Sequence, residues 1–260
     1  MNVIRIMGGL GNQIFQYAFG KAQAVNGIDV RYSLLWYVKS KNIHRPYRLD
    51  KFKTNVRVSK SIGHTIYEKH QQPCDLSLLK KDGSNFVGYW QYLPYFISVI
   101  PTLKKDLCVR EEFYNESFLA MREKIVNCNS VSLHIRRGDY LQQRGFHDLP
   151  FHYYVRALCL IPGELFIFSD DIPWCKNKFK ESYFQRHVTF VQMDDYLDFE
   201  LMKLCKSNIC ANSTFSFWAA LLNDNPEKKV VVPFRWLGDS IIDDEKRFPK
   251  EWIKIPDYAI

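Results

Sequence analysis

The second half of the chain alternates short apolar runs with segments of helical periodicity, and this alternation limits the folds that it can adopt. The apolar runs lie at 131–135, 165–169, 188–191, 208–211 and 229–232. Segments with helical periodicity lie at 151–160, 173–180, 196–206 and 215–223. Strands that alternate with helices in this way form a parallel sheet with helices on both faces. The pattern therefore predicts an α/β fold.

Polar side chains follow three of the predicted strands directly. They occur in Arg136-Arg137-Gly138-Asp139, Ser169-Asp170-Asp171 and Asn212-Ser213-Thr214. The carboxyl ends of parallel strands meet at one edge of a sheet, where ligands of open α/β folds bind. Two adjacent guanidiniums suit a phosphate or diphosphate, and a glycine lets the backbone approach it closely. The competing interpretation is a surface turn in which Arg137 and Asp139 form an ordinary ion pair.

Each of the other polar groups also has a structural and a ligand-binding interpretation. One of Asp170 and Asp171 can cap the next helix, and the other can accept two hydrogen bonds from guanine. Together they could chelate Mg²⁺, but no third hard ligand is evident. Ser213 and Thr214 suit a helix N-cap or a phosphate. His134 is either a core histidine or a ligand contact, and no second histidine at ligand spacing suggests zinc.

The amino-terminal stretch predicts a strand, a glycine-rich turn and a helix in immediate succession. Gly8, Gly9 and Gly11 form the turn, and Asn12 and Gln13 begin the helix. This unit aims a helix N-terminus at an anion. It matches neither the dinucleotide fingerprint nor a Walker loop, so a turn without a ligand competes with this interpretation. The two amides favour a ligand slightly, since they can hydrogen-bond sugar hydroxyls or phosphate oxygens.

Composition predicts a globular chain that can bury a large core. It has 260 residues, 47% of them hydrophobic and 15% aromatic. Neither a membrane span nor a signal peptide is evident, so we expect a cytoplasmic location. Seven cysteines are scattered without CxxC spacing, which predicts reduced thiols in the core. The sequons at Asn115 and Asn212 are then not expected to carry a glycan.

The net charge of +8 admits a nucleic acid, an anionic membrane surface or a phosphorylated substrate as a partner. Because the basic residues are spread along the chain, no nucleic-acid partner is expected. Attraction to a membrane surface stays open, at roughly 1 kcal/mol for each nearby Lys or Arg.

Residues 28–110 are less regular than the rest. They contain a predicted strand at 28–33, an aromatic stretch at 88–96 and a predicted helix at 93–107. The aromatic rings favour core packing over stacking on sugars. A further helix is predicted at 117–126, so we place a domain boundary near residue 128. The predicted domains are 1–128, 129–240 and a carboxyl-terminal extension, 241–260, that packs back on the first domain.

Four motifs together carry a family resemblance. They are MGGLGNQIFQYAFG at 7–20, HIRRGDY at 134–140, FIFSDD at 166–171 and ANSTFSFW at 211–218. They resemble, in the same order, the motifs of the α-1,2-fucosyltransferases of glycosyltransferase family 11. The resemblance runs from residue 3 to about 235, without a recognisable motif at 35–110. Thr214 and Phe217 stand where serine and tryptophan are more usual, and both changes keep the hydroxyl or the ring.

The resemblance implies a GT-B architecture, in which two Rossmann-like domains face a central cleft. It also implies inverting transfer of L-fucose from GDP-fucose to the 2-hydroxyl of a terminal β-galactoside. No metal and no cofactor are expected, because GDP-fucose is a co-substrate. The acceptor glycan could be lipid-linked, with the enzyme in the cytoplasm or peripheral on the inner face of the cytoplasmic membrane.

The same resemblance suggests roles for individual residues. Arg136 and Asp139 are the catalytic candidates. Arg136 would hold the leaving diphosphate, while Asp139 and Arg137, which is also a donor-site candidate, would position the loop. The remaining donor-site candidates are His134, Asp170, Asp171, Ser213, Thr214 and Phe215. On the acceptor and diphosphate side, the candidates are Gly9, Gly11, Asn12 and Gln13.

Several alternatives stay open at the level of the sequence. A general base could be Asp139, His147 or Asp148, or a loose transition state could need no strong base. Transfer of another nucleotide sugar, or to another linkage, is a competing enzymatic function. A sugar-binding module without catalysis is a third, although it would not explain paired arginines at a strand end.

Overall fold

A computed structural model of the chain contains two parallel β-sheets, each inside its own packing unit. It describes residues 1–39, 45–60, 63–68, 74–141, 148–236 and 247–257. The first unit comprises Met1–Arg110 with Ile242–Pro249, and the second comprises Glu111–Ile241 with Lys250–Ile260. The predicted domain boundary near residue 128 stays a prediction.

The first unit is built on a four-stranded sheet among the described residues. Its strands are β1 (Asn2–Arg5), β2 (Val30–Ser33), β3 (His64–Tyr67) and β4 (Ser84–Val87), in the spatial order β2-β1-β4-β3. All neighbouring strands pair in parallel. Its α-helices are α1 (Leu10–Val25), α2 (Leu35–Lys39) and α3 (Ile100–Asp106).

The second unit is built on a six-stranded parallel sheet within the described part of the chain. Its helices are α4 (Glu116–Val126), α5 (Phe151–Leu160), α6 (Ile172–Lys178), α7 (Glu181–Phe184), α8 (Asp195–Leu204) and α9 (Thr214–Leu222). Its strands are β5 (Ser130–Ile135), β6 (Glu164–Ser169), β7 (Val188–Val191), β8 (Ser207–Ile209), β9 (Val230–Pro233) and β10 (Ile253–Ile255). The spatial order is β10-β9-β8-β5-β6-β7, which places β5 inside the sheet.

Helices cover both faces of this second sheet. Val131, Leu133 and Ile135 of β5 are fully buried in the cluster that includes α5. Successive strand residues point to opposite faces. His134 lies on the other face, where its ring contacts Phe215 of α9. This arrangement explains why β5 is buried along its whole length, and the strand pairing confirms the predicted parallel sheet.

The architecture confirms the predicted fold class. Two parallel sheets with packed helices occur in one chain, which is the composition of the GT-B class. The five strands and four helices predicted for 131–232 are all present, with ends that shift by one or two residues. The predicted helix at 117–126 is α4, which the side chain of Asn115 caps by accepting a hydrogen bond from the Phe118 N–H.

The aromatic stretch at 88–96 packs mainly into the core of the first unit, as predicted. Trp90 is 1% exposed and stacks on Phe19, with 4.4 Å between ring centroids. Tyr95 packs edge-on against both of these rings, and Phe96 is fully buried. The seven cysteines are free thiols, of which Cys175, Cys205 and Cys210 are buried.

Three predictions for the less regular segments are wrong or incomplete. The helix expected at 93–107 is a pair of 3₁₀ turns followed by the short α3, because Pro101 in its middle lacks the N–H that a continuous helix needs. Strands β3 and β4 were not predicted, since polar residues interrupt their apolar pattern. The carboxyl-terminal extension is divided, because Ile242–Pro249 belong to the first unit, whereas Lys250–Ile260 belong to the second, where β10 pairs with β9.

The contact between α1 and β2 generates a prediction about stability. Gly20 lies in α1, where an exposed glycine-to-alanine change would stabilise a helix by about 1 kcal/mol. A Cβ at Gly20 would instead lie 2.5 Å from the hydroxyl of Tyr32 and 2.9 Å from Cδ1 of Ile4. We expect Gly20→Ala to lower the free energy of unfolding by about 1–3 kcal/mol in urea titrations. The added substitution Tyr32→Phe should restore part of this loss, and additive effects would contradict the proposed clash.

Candidate functional site

Arg136 extends from the carboxyl end of β5 and is held by two carboxylates. Its Nη2 lies 2.6 Å from Oδ1 of Asp139, and its Nη1 lies 2.9 Å from Oδ2 of Asp170. The three side chains are each 24% exposed. Both terminal nitrogens of the guanidinium therefore face negatively charged oxygens in a partly open site.

Arg137 has a more enclosed environment that connects several segments. Its Nε lies 3.1 Å from Oδ2 of Asp171, and its Nη1 contacts Asp148 at the start of the stretch before α5. The guanidinium lies 4.3 Å from the ring centroid of Trp174 in α6, which is a cation–π contact. The side chain is only 15% exposed. Arg137 thus joins the ends of β5 and β6 to the beginnings of α5 and α6.

The two adjacent aspartates after β6 have different roles. Asp171 is the N-cap of α6, because its Oδ1 accepts a hydrogen bond of 3.1 Å from the Trp174 N–H. Asp170 accepts a hydrogen bond of 2.9 Å from the backbone N–H of Arg137 and also pairs with Arg136. The prediction that one of the pair caps a helix is confirmed. The other carboxylate contacts arginine in this structure.

Gly138 is placed so that the β5 loop can approach Asp170. A Cβ at this position would lie 2.8 Å from Oδ2 of Asp170. Any larger residue would push the carboxylate away from Arg136. The glycine in the motif is therefore explained by a close contact between two loops.

The cluster has an excess of negative charge. Among the described residues, two guanidiniums face four carboxylates, which belong to Asp139, Asp148, Asp170 and Asp171. Burial raises the pKa of Asp148, and the neighbouring Arg137 opposes that shift. The arginines are thus fully compensated before any anionic ligand arrives.

His134 is buried beside this cluster as a neutral imidazole. Burial lowers its pKa to about 3, and the positive charge of Arg136 contributes to the shift. Its Nδ1 is buried without a hydrogen-bond partner among the described residues. The ring packs against Phe215, whose other neighbour is Phe199 of α8. A buried nitrogen without a partner is costly, which makes this atom a candidate contact for a ligand.

The turn between β8 and α9 contributes Ser213 and Thr214 to the same edge of the sheet. Ser213 is the N-cap of α9, with its hydroxyl 3.4 Å from the Phe215 N–H. Thr214 is the first helical residue and is partly exposed. The N-cap interpretation is confirmed for Ser213, and contact of either hydroxyl with phosphate stays a prediction.

Two aromatic residues that the sequence did not single out support the arginines. The Tyr140 ring lies 5.6 Å from the Arg136 guanidinium, and its hydroxyl donates a hydrogen bond of 3.1 Å to the Asn212 carbonyl. Trp174 performs the corresponding role for Arg137. The available signal was an aromatic residue within a few positions of each charged motif, since arginine stacks readily on aromatic faces.

The glycine turn of the first unit has its own network. Gly8 adopts φ +79°, and its carbonyl accepts hydrogen bonds from Tyr37 and Gln13. Gly9 is the N-cap of α1 and Gly11 is buried in its first turn. The side chain of Asn12 accepts a hydrogen bond of 3.0 Å from Gln91.

Gln13 does not present its amide to a ligand in this structure. It is fully buried, and its Nε2 donates to the carbonyls of Gly8 and Pro46. Its Oε1 accepts a hydrogen bond of 2.9 Å from the Arg48 N–H. We assign Gln13 to holding the loop that follows residue 45, which corrects its predicted ligand contact.

Three further sequence predictions concern His147, a bound metal ion and a membrane-spanning helix. His147, a candidate general base, lies outside the described residues. Across the described ranges, no group of three or more His, Cys, Asp or Glu side chains is arranged to hold a metal ion. The described helices include none that is long and apolar enough to cross a membrane.

Comparisons with known proteins place the chain in a family. The family model described as "Glycosyl transferase family 11" matches residues 1–256. The chain belongs to glycosyltransferase family 11. Such an enzyme uses a nucleotide-sugar donor and a glycan acceptor.

Three curated relatives illustrate the range of the family. The chain is 30% identical to an α-1,2-colitosyltransferase of Escherichia coli, over 97% of this chain and 98% of the relative. It is 29% identical to the O-antigen biosynthesis glycosyltransferase WbnK of the same species, over 96% and 99%. It is 32% identical to the human galactoside α-(1,2)-fucosyltransferase 1, over 48% of this chain and 38% of the relative.

The burial of His134 predicts how stability depends on pH. The pKa of about 3 in the folded chain lies below the ordinary value of 6.5. Between these values the unfolded chain binds a proton that the folded chain does not, so the stabilisation present above pH 6.5 is lost as the pH falls. We expect His134→Gln to flatten the fall in Tm between pH 7 and about 5.

The matched control for this measurement is His187→Gln, at a histidine whose side chain is 80% exposed. It should leave the dependence of Tm on pH close to that of the wild type. Equal slopes for the wild type and His134→Gln would show that His134 takes up its proton without unfolding.

Proposed function

We propose that the chain is an inverting α-1,2-fucosyltransferase. It transfers L-fucose from GDP-β-L-fucose to the 2-hydroxyl of a terminal β-galactoside, without a metal ion or cofactor. Family membership and the names of the fucosyl- and colitosyltransferase relatives support this activity. The single observation that carries the proposal is Arg136, whose two terminal nitrogens converge on anionic groups at the carboxyl end of β5.

The chemistry of transfer gives Arg136 its role. Breaking the bond between fucose and the β-phosphate places negative charge on GDP and positive charge on the sugar ring. A guanidinium fixed at the β-phosphate stabilises this transition state more than the ground state. Because the fork of Arg136 can contact two phosphate oxygens at once, it also fixes the direction in which the diphosphate leaves.

The surrounding residues complete the proposed donor site. Asp170 or Asp171 would accept hydrogen bonds from guanine, and Nδ1 of His134 would gain the partner that it lacks among the described residues. Ser213 and Thr214 would donate hydrogen bonds to the phosphates. Phe215 holds the His134 ring in position.

The first unit would contribute to the acceptor and diphosphate side. Gly9 and Gly11 allow a ligand to approach the start of α1, where backbone N–H groups are available. Asn12 is half-buried and its side-chain NH₂ can still reach a ligand oxygen.

The proposed proton acceptor is one of two carboxylates or His147. Asp139 is 24% exposed beside Arg136, whereas Oδ1 of Asp148 is buried. The geometry of the described residues thus favours Asp139, since an acceptor hydroxyl can reach it. A transition state in which the leaving group departs early would need only weak base assistance.

A second candidate activity is transfer of colitose or another sugar from its nucleotide diphosphate. The α-1,2-colitosyltransferase relative, which matches nearly the whole chain, favours it. The same arginine would serve either donor, because both reactions release a nucleoside diphosphate. Comparing kcat/KM for GDP-fucose and GDP-colitose with one acceptor separates the two candidates.

We further propose that the acceptor is a surface polysaccharide precursor, as the name of the WbnK relative suggests. Such a precursor can be lipid-linked, which would place the enzyme in the cytoplasm, against the inner face of the membrane. The net charge of +8 would favour contact with anionic lipids.

Substitutions of Arg136 test its proposed role. Arg136→Ala should lower kcat by about 10²–10³, the usual loss for one transition-state donor. Arg136→Lys should fail as well, because an ammonium cannot make the bidentate contact. Radiolabelled fucose transfer at saturating donor measures both variants, and near-normal turnover by Arg136→Lys would remove Arg136 from this role.

The acceptor and the metal requirement can be tested in one assay. Incubation with GDP-fucose and lactose, N-acetyllactosamine or a β-1,3-linked isomer should give an α-1,2-linked product with at least one acceptor. Activity should persist in EDTA. A protein that binds these glycans but neither binds GDP nor transfers fucose would instead be a sugar-binding module.

A further inference from the structure

We propose that Asp139 competes with the donor diphosphate for Arg136 and is displaced when the donor binds. In addition to its proposed role as proton acceptor, Asp139 thus stabilises Arg136 in the empty site and weakens binding of the nucleotide. The inference rests on the proposed function, because it assumes that Arg136 receives a diphosphate.

The geometry of Arg136 brings the donor and the carboxylates into competition. Its two terminal nitrogens contact two different carboxylates, at 2.6 Å from Asp139 and 2.9 Å from Asp170. These contacts occupy one N–H group on each terminal nitrogen, out of five N–H donors in the guanidinium. A phosphate that approaches through the occupied N–H groups displaces a carboxylate before the bidentate contact forms.

Asp170 is the less mobile of the two carboxylates. Its Oδ1 is anchored by the backbone N–H of Arg137, and Gly138 leaves just enough room for its Oδ2. Displacing it would break the contact between the loops that follow β5 and β6. Asp139 lies three residues after Arg136 in a short 3₁₀ turn, so a change within that turn can move its carboxylate away.

Local charge makes the competition stronger. Within the described part of the chain, the cluster has two more carboxylates than guanidiniums, and a diphosphate adds further negative charge. In a site that is only partly exposed to water, this repulsion is incompletely screened. Removing the charge of Asp139 should relieve both the repulsion and the direct competition for Arg136.

The proposal predicts the sign of a change in affinity. We expect Asp139→Asn to bind GDP about three- to tenfold more tightly than the wild type in titration calorimetry, consistent with the loss of one partly exposed ion pair. A residue that only shaped the loop for phosphate would give the opposite result, since its loss would weaken binding. Asp139→Ala should also tighten binding. This second variant covers the case in which the asparagine side chain still forms a hydrogen bond with Arg136.

Asp148→Asn is the matched control. It removes the same charge from the same cluster, but from Arg137 instead of Arg136. We expect it to change the affinity for GDP by less than half the effect of Asp139→Asn. Equal tightening by both variants would show a general effect of net charge and would overturn direct competition, as would unchanged or weaker binding by both Asp139 variants.

GDP binding by the wild type distinguishes a failure of this inference from a failure of the proposed function. If the wild type binds GDP and the Asp139 variants do not bind it more tightly, the competition is wrong while the donor assignment stands. If neither the wild type nor the Asp139 variants bind GDP, the donor assignment itself is wrong.

Discussion

The second unit depends on the register of β5 with its neighbours. Leu133 pairs with Ile167 of β6 and with Ile209 of β8, and this register brings the three strands to the same edge. Because all three run in parallel, the charged residues that follow β5 and β6 lie close enough for ion pairs. A shift of β5 by one residue would exchange the side chains on its two buried faces and turn His134 toward α5.

The sequence predicted the second unit well because its strands are buried on both faces. Continuous apolar runs identify such strands without any knowledge of their partners. The first unit was harder: β3 and β4 contain polar residues such as His64, Ser84 and Asn85, so their pattern is not distinctive. Pro101, inside an otherwise periodic stretch, explains why the predicted helix at 93–107 is replaced by separate turns.

The sequence predicted which residue types lie at which strand ends, but it did not predict which charged side chains form ion pairs. Arginine followed by aspartate suggested a local ion pair between Arg137 and Asp139, whereas Arg137 binds the more distant Asp148 and Asp171. These partners depend on how β5, β6 and the start of α5 pack together. The periodicity of a single segment contains no information about that packing. Gln13 is a similar case, since its role became visible only with the loop at 46–48 in place.

The position of β10 has a consequence for how the second sheet assembles. β9 is a wholly apolar strand whose outer edge is covered by β10, and Asp257 reinforces this join through a buried pairing with Arg235. On an elongating chain, β9 therefore emerges well before the strand that will cover it. Until residues 253–255 arrive, its backbone N–H and C=O groups can pair with another chain, so this edge is where association during synthesis would begin.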